Sequence, residues 1–371
     1  LFADNERFLR ELAYTKDAKI IVDTVQGSVD SVDVIILTKD VFSIGGKLLI
    51  NSKDRGRAEI REENFAGTGT RLLISGYHET ARNPTRGIGG EVVTRNIGGS
   101  FIDLIAGYQD YGKAFSSDKN QETVFYSRLE KPLVTAYKPA TGALEWSYRR
   151  TRNVYNSDSL YKSDFKYSYY GLDGWFGYSL NGKRSLYANR EVRVHRFLAI
   201  RGFKQFFQII PVKAQVNYDY RFTDFSGILT SFNIFKQIFY KTSFIYGFGL
   251  VEDIPEGFNA VVTTGYINQQ NFKRPYGGLE LSLANFKQQG KYFNYTFKLG
   301  GYYYRKRFED VSLLFNLNHF SRLHKIKSKW YNRMFLNAGI AAQGNPRLNA
   351  PLYLNSDYGL PYLTNGALTS D

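Results

Sequence analysis

The strongest constraint on this 371-residue chain is a two-residue rhythm. From Phe42 onward, segments of about ten residues alternate apolar and polar side chains, and turn-rich stretches separate them. In Val311 to Phe320, Val311, Leu313, Phe315 and Leu317 share one parity and Ser312, Asn316 and Asn318 the other, with Leu314 the exception. Leu279, Leu281 and Leu283 likewise stand opposite Glu280 and Ser282, and Tyr295, Phe297 and Leu299 opposite Thr296 and Lys298. Leu144, Trp146 and Tyr148 stand opposite Glu145, Ser147 and Arg149. Successive side chains of a strand point to opposite faces, so each segment predicts a strand with one oily and one polar face. About fourteen to sixteen such strands fit the chain. The composition agrees: 29 Tyr, 29 Phe and 34 Gly against one Met and 9 Pro favour strands over a helical core, hence an all-β fold.

No apolar run approaches the ~18 residues a membrane helix needs, so a chain like this in a membrane would cross it as strands. In hydrocarbon an unpaired backbone amide costs several kcal/mol, and only a closed sheet leaves none. The charges at Glu145, Asp173, Glu280 and Lys298 are intolerable in a packed sandwich core and comfortable in a wet lumen. Asn96 to Gly99 and Asn181 to Arg184 predict short links, whereas Glu79 to Gly87, Tyr111 to Glu122 and Arg152 to Asp164 predict long polar loops. Short turns at one end and long loops at the other are the habit of outer-membrane barrels, and Tyr108, Tyr111, Tyr302, Tyr303 and Tyr304 suit their interfacial girdles. The competing fold is a large soluble β-sandwich or propeller, but no blade-length repeat is visible. The net charge of +15 invites a nucleic-acid reading, yet the basic residues recur singly, with short clusters at Arg305 to Arg307 and Lys325 to Lys329, and form no groove-tracking stripe. Nucleic acid is therefore not an expected partner; lipid headgroup or lipopolysaccharide phosphates are.

Enzyme chemistry finds little support. With no cysteine there is no disulfide scaffold, thiolate metal site or thiol nucleophile, and four histidines leave little for zinc. His319 lies near Ser312 and Asn318 but on the opposite parity, which is poor geometry for a proton relay. Glu252-Asp253 and Glu309-Asp310 fit no calcium-loop pattern and read as loop and turn charges. No cofactor is expected. Leu1 to Glu6 lack the features of a signal peptide, so the chain is expected to be mature or truncated.

The first forty residues follow another grammar. Asn5 to Ala13 predict a short helix with Phe8, Leu9 and Leu12 on one side and Asp4 or Asn5 as cap. Ala18 to Val25 and Val32 to Val41 flank a turn at Gln26 to Asp30 and predict a hairpin packed on that helix, the end of a larger module. Ile44 to Asn51 then read as the first strand of the large sheet, its pairing weakened by Gly45 and Gly46, although a bulge at a domain junction explains the same glycines.

Several of these residues resemble a known family. The run Asp33 to Ser43 resembles the last strand of a POTRA domain entering a barrel, and its hairpin would comprise Ile20, Ile21 and Val22 with Val34, Ile35 and Ile36. Arg57 to Leu73 looks like the second and third barrel strands of the BamA/TamA superfamily of outer-membrane assembly factors, with an N-x-x-G-x-G turn at Asn64, Gly67 and Gly69. Tyr246 to Gly257 resembles a segment of some members. The superfamily's lumen-loop motif, V/I-R-G-F/Y, has two candidate places. Ile200-Arg201-Gly202-Phe203 spells it inside a strand-like run, and Asn355 to Asp371 resembles the loop without its arginine, at Gly359 to Tyr362. On the second placement the chain stops inside the loop, and the strands that close the seam are missing.

The resemblance implies an antiparallel transmembrane β-barrel of 16 strands, incomplete at the C-terminus, over residues 43–371, and a small α+β POTRA remnant over residues 1–42. It implies a non-enzymatic factor in a Gram-negative outer membrane, its N-terminal segment in the periplasm. Such a factor assists insertion or translocation of other proteins by strand templating. The lateral-seam strand would be Ile44, Gly45, Gly46, Lys47, Leu48, Leu49, Ile50 and Asn51. Expected partners are unfolded outer-membrane proteins, with accessory lipoproteins or periplasmic chaperones as candidates. The alternative is a passive or specific channel, and behind it a surface-exported enzyme or lectin-like β protein.

Overall fold

The computed structural model describes residues 2–25, 30–133, 139–181, 194–245, 251–287, 290–348, 352–353 and 369–370. Strand makes up 69% of the described residues and helix 9%, where an ordinary soluble domain holds about 20–25% strand. The fold is all-β. Helix α1 (Phe2–Glu11) leads into a hairpin of β1 (Thr15–Thr24) and β2 (Val32–Asp40). The helix begins earlier than its sequence suggested, because Asp4 sits in the first turn, where its charge complements the helix dipole, instead of capping from outside. In the hairpin Ile20 pairs with Ile36, Ile21 with Ile35 and Val22 with Val34.

A single antiparallel sheet of 15 strands follows. Its first half is β3 (Ile44–Ser52), β4 (Arg55–Phe65), β5 (Thr70–Glu79), β6 (Arg86–Thr94), β7 (Asp103–Lys113), β8 (Asn120–Lys131), β9 (Ala140–Thr151) and β10 (Ser168–Ser179). The rest is β11 (His195–Ile209), β12 (Phe225–Ser243), β13 (Val251–Gln269), β14 (Phe272–Lys287), β15 (Lys291–Tyr304), β16 (Arg307–Phe320) and, past a small hairpin of β17 (His324–Lys327) and β18 (Trp330–Asn332), β19 (Phe335–Gly344). Each strand pairs with its predecessor in this order, the up-and-down meander from which barrel walls are built. A last pair joins β20 (Leu352–Tyr353) to β21 (Thr369–Ser370). No described helix is long and apolar enough to cross a membrane.

The chain divides into two compact units, Leu1–Leu172 with Phe207–Asn217 and Lys241–Asp253, and Asp173–Phe206 with Tyr218–Tyr240 and Ile254–Asp371. In the second, the register aligns Leu281 with Phe297, Phe297 with Phe315 and Phe315 with Ile340, so one face is an unbroken apolar row. The row is exposed at its ends, Leu281 by 42% and Ile340 by 64%. On the other face Glu280 opposes Lys298 and pairs with it at 2.9 Å, Thr296 opposes Ser282 and Asn316, and Asn316 is buried. Leu314, the exception to the alternation, lies against Lys298 on this polar face. In the first unit the apolar row includes Leu48, Ile60 and Ile74, the last 73% exposed. Here the buried side chains are largely polar. Arg82 donates to the carbonyls of Pro84, Arg86 and Asp110, and Glu79 accepts from Arg55, Tyr77 and Tyr155. Both units thus expose oily strand faces and bury charged and polar side chains beside aromatic and aliphatic ones, unlike a protein core in water.

Four expectations need correction. Tyr111 is not a girdle residue: an irregularity between Gln109 and Gly112 turns it inward, where its hydroxyl donates to Ser75 and its ring stacks on Tyr77 at 5.0 Å. Tyr302 also faces inward, beneath Arg274 at 4.2 Å, whereas Tyr108 and Tyr303 keep to the apolar side. The link expected at Asn181 to Arg184 lies, from residue 182 on, outside the described residues; β10 ends at Ser179 and β11 begins at His195. Glu309-Asp310 and Glu252-Asp253 are not idle loop charges. The first pair grips Arg274, whose side chain is fully buried, at 2.9 and 2.7 Å. The second pair accepts from Ile245 N–H, through Glu252, and from Arg10, through Asp253.

Candidate functional site

The residues proposed as a seam form a strand with one neighbour among the described residues. β3 pairs with β4 from Ile44 opposite Glu62 to Ile50 opposite Gly56, and Asn51 falls in an irregularity before Ser52 meets Arg55. Every β3 residue except Gly45 is exposed. In an antiparallel ladder alternate residues bond to one neighbour and the rest point away, so β3 presents a row of outward amides and carbonyls. The ladder runs unbroken through Gly45 and Gly46, which excludes a bulge there. Gly45 answers to packing: a β-carbon on it would lie 2.9 Å from Arg61 Nε, because the Arg61 side chain crosses the strand there.

A second open edge precedes it. Helix α1 packs along β1, and Glu6 Oε1 accepts the outward N–H of Ile20 at 2.7 Å, which covers that side of the hairpin. β2 has no partner but β1 among the described residues, and all nine of its residues are exposed. Val34, Ile35 and Ile36 are half-exposed aliphatics on an unprotected edge, which proteins ordinarily avoid because it recruits another strand.

The hairpin is held against the tight turns of its own unit. The Phe8 and Phe101 ring centroids lie 6.5 Å apart, and Tyr14 O accepts Val41 N–H at 3.0 Å. Beyond this three-residue linker, Ser43 O accepts Glu63 N–H at 3.0 Å, so the chain passes from hairpin to β3 anchored on both sides. Arg10, 5% exposed, donates to both Asp253 carboxylate oxygens at 2.9 and 2.8 Å and to Ala18 O at 3.2 Å. Lys241 Nζ pairs with Asp17 at 2.8 Å, and that hydrogen bond holds the Asp17 carboxyl below its usual range.

The turn at Asn64, Gly67 and Gly69 joins β4 to β5. Asn64 Oδ1 accepts Gly69 N–H at 2.7 Å and Asn64 O accepts Gly67 N–H at 3.0 Å. Both glycines have φ near +74° and +73°, where a side chain is strained, so the spacing is a backbone requirement. Arg95 braces it, donating to the carbonyls of Glu63 and Gly69. Nothing in the sequence pattern marked Arg95, nor Arg10, Asp17, Lys241 and Asp253, whose pairings span more than two hundred positions.

Ile200 to Phe203 form no loop tip. They lie within β11, paired with Thr230 to Gly227 of β12, and Arg201 forms an ion pair with Asp173. Of Asn355 to Asp371 only Thr369 and Ser370 are among the described residues, and of Tyr246 to Gly257 only residues 251–257. His319 donates its Nδ1–H to Tyr292 O, 2.7 Å away, and its ring stacks on Phe293 at 4.2 Å.

No protein-family model and no curated protein matches the sequence. Among solved structures the chain is similar to BamA from Haemophilus ducreyi lacking POTRA domains 1–3, with 12% identity and a TM-score of 0.34 over 91% of this chain and 77% of that one.

Proposed function

We propose that this chain is an outer-membrane β-barrel that helps other strands enter the membrane, with β3 as the templating edge. The observation that carries the membrane half is the distribution of side chains, with oily strand faces exposed and charged and polar side chains buried beside aromatic and aliphatic ones. The templating half is supported by β3 itself, which among the described residues has one neighbour and follows directly on a hairpin whose β2 edge is also without a partner there. Client strands would add to β2 and then to β3 through main-chain hydrogen bonds, which supply affinity with little demand on sequence. The energy would come from the client burying its own apolar face and completing its own ladder, with no nucleotide consumed. Unfolded outer-membrane proteins are the corresponding partners, and the hairpin would lie in the periplasm.

The test is reconstitution. After membrane fractionation the unboiled chain should migrate faster than the boiled chain, and vesicles containing it should accelerate insertion of an unfolded barrel protein. Ion conductance without acceleration would favour the channel reading. A chain that leaves the membrane pellet would remove both.

A further inference from the structure

On the apolar face of β14, β15 and β16 lies a depression of about 620 Å³ lined by Pro275, Gly277, Leu279, Leu299, Tyr303 and Phe308, within the ~300–1,000 Å³ range of small-molecule sites. Four paired glycines make it, Gly277 opposite Gly301 and Gly278 opposite Gly300. On the polar face their role is visible: the Tyr276 hydroxyl lies 2.8 Å from where a β-carbon on Gly278 would stand and 2.6 Å from one on Gly300, so the tyrosine needs that space. On the apolar face Gly277 has no such reason. A β-carbon built there meets nothing within 4 Å, and its φ is not in the left-handed region. The chain leaves room for a group it does not itself supply.

The rim indicates what that group is. The T-shaped pair Tyr303 and Phe308, 5.4 Å apart, walls one end, and beyond it the turn between β15 and β16 carries Arg305 and Lys306. Lys273 shares the strand face of Pro275 and Gly277 on β14, and all three cations are exposed. An apolar trough ending under clustered cations complements a molecule with an aliphatic tail and an anionic head. We propose that this trough is a binding site for a phosphate-bearing membrane lipid, its acyl chain lying over Gly277 and Gly301 and its phosphate held by Arg305, Lys306 and Lys273. The site rests on the membrane reading above and adds to it a specific lipid position.

The experiment counts lipids retained by the full chain in native mass spectrometry after detergent extraction, with dimyristoyl phosphatidylglycerol or dimyristoyl phosphatidylcholine added as probes. The native chain should retain one phosphatidylglycerol with roughly tenfold preference over phosphatidylcholine, since several exposed cations act together. Gly277→Ile, which fills the trough in open space, should lose that lipid regardless of head group. Lys273→Gln with Arg305→Gln and Lys306→Gln should keep a lipid but lose the preference. Equal retention by native chain and both variants, or a protein dimer in place of bound lipid, would overturn the proposal. Heat-modifiable migration of every variant is scored in parallel: its loss in the native chain refutes the membrane reading, whereas its retention with unchanged lipid counts refutes the lipid site alone.

Discussion

Replacing Leu281 with arginine asks what surrounds the apolar face. On β14 that face is apolar from Pro275 to Leu283 and polar beyond, at Lys273 and Asn285. Eight residue steps at ~3.3 Å each, tilted about 40°, give a height of about 20 Å, close to the ~25 Å apolar band of a membrane barrel. Leu281 lies two residues from the midpoint, so about 5 Å from the midplane, where an arginine costs roughly 2–3 kcal/mol. In water the expectation differs, because Leu281 is already 42% exposed and an exposed substitution rarely moves stability by more than about 0.5 kcal/mol. Urea titration of the chain folded in phosphatidylcholine vesicles, followed by tryptophan fluorescence, measures the difference. Ser282→Arg, on the polar face, is the control and should cost less than about 1 kcal/mol. A Leu281→Arg variant as stable as the native chain would refute the assignment of this face to lipid.

Breaking the Arg10 to Asp253 pair with Asp253→Asn should free α1 and the hairpin while leaving the large sheet intact, at a local cost of about 1.5–3 kcal/mol, the worth of a hydrogen bond to a charged group; amide exchange at Ile20 should quicken and that of β5 should not. Asp17, held below its usual range by the Lys241 hydrogen bond, contributes stability present above the ordinary carboxylate value of about 4 and lost as pH falls through its lower folded value. Proteolysis at Val41 to Ser43 should therefore rise only in acid, and Asp17→Asn should be sensitive at all pH values. Gly257→Ala should cost more than about 2 kcal/mol, since φ of 141° and a β-carbon 1.8 Å from Lys236 O leave no place for it; Gly45→Ala should cost under about 1 kcal/mol because the Arg61 side chain can swing aside. Cooperative unfolding midpoints compare the two.

Strand identity and facing were legible because a period of two needs only local information. Glu280, Ser282, Thr296 and Asn316 share a face in the ladder, as their parity required. Parity misled where the backbone slipped: the irregularity at Gln109 to Gly112 turned Tyr111 inward, and no residue type there announces it. Tyr302 was misplaced for the opposite reason: it shares the parity of Thr296 and Lys298, which by itself puts it on the polar face under Arg274. The β3 edge was implied by the family resemblance alone, and which hairpin edge stays open depends on Glu6 reaching Ile20 from α1, a tertiary choice. The tether through Asp253 and Lys241 joins positions too distant for any pattern to connect.

The central claim is that β3 pairs with an incoming strand, and disulfide trapping during assembly tests it most directly. The chain contains no cysteine, so single cysteines at Leu48 and Ile50, with Leu129 of interior strand β8 as control, report without background. An unfolded barrel client carrying one cysteine in a terminal strand is added to vesicles holding each variant. The predicted result is a crosslink at positions 48 and 50, at client positions spaced by two residues, and none at 129. Crosslinks absent from β3, or as frequent at Leu129 as at Leu48, would contradict strand templating at this edge.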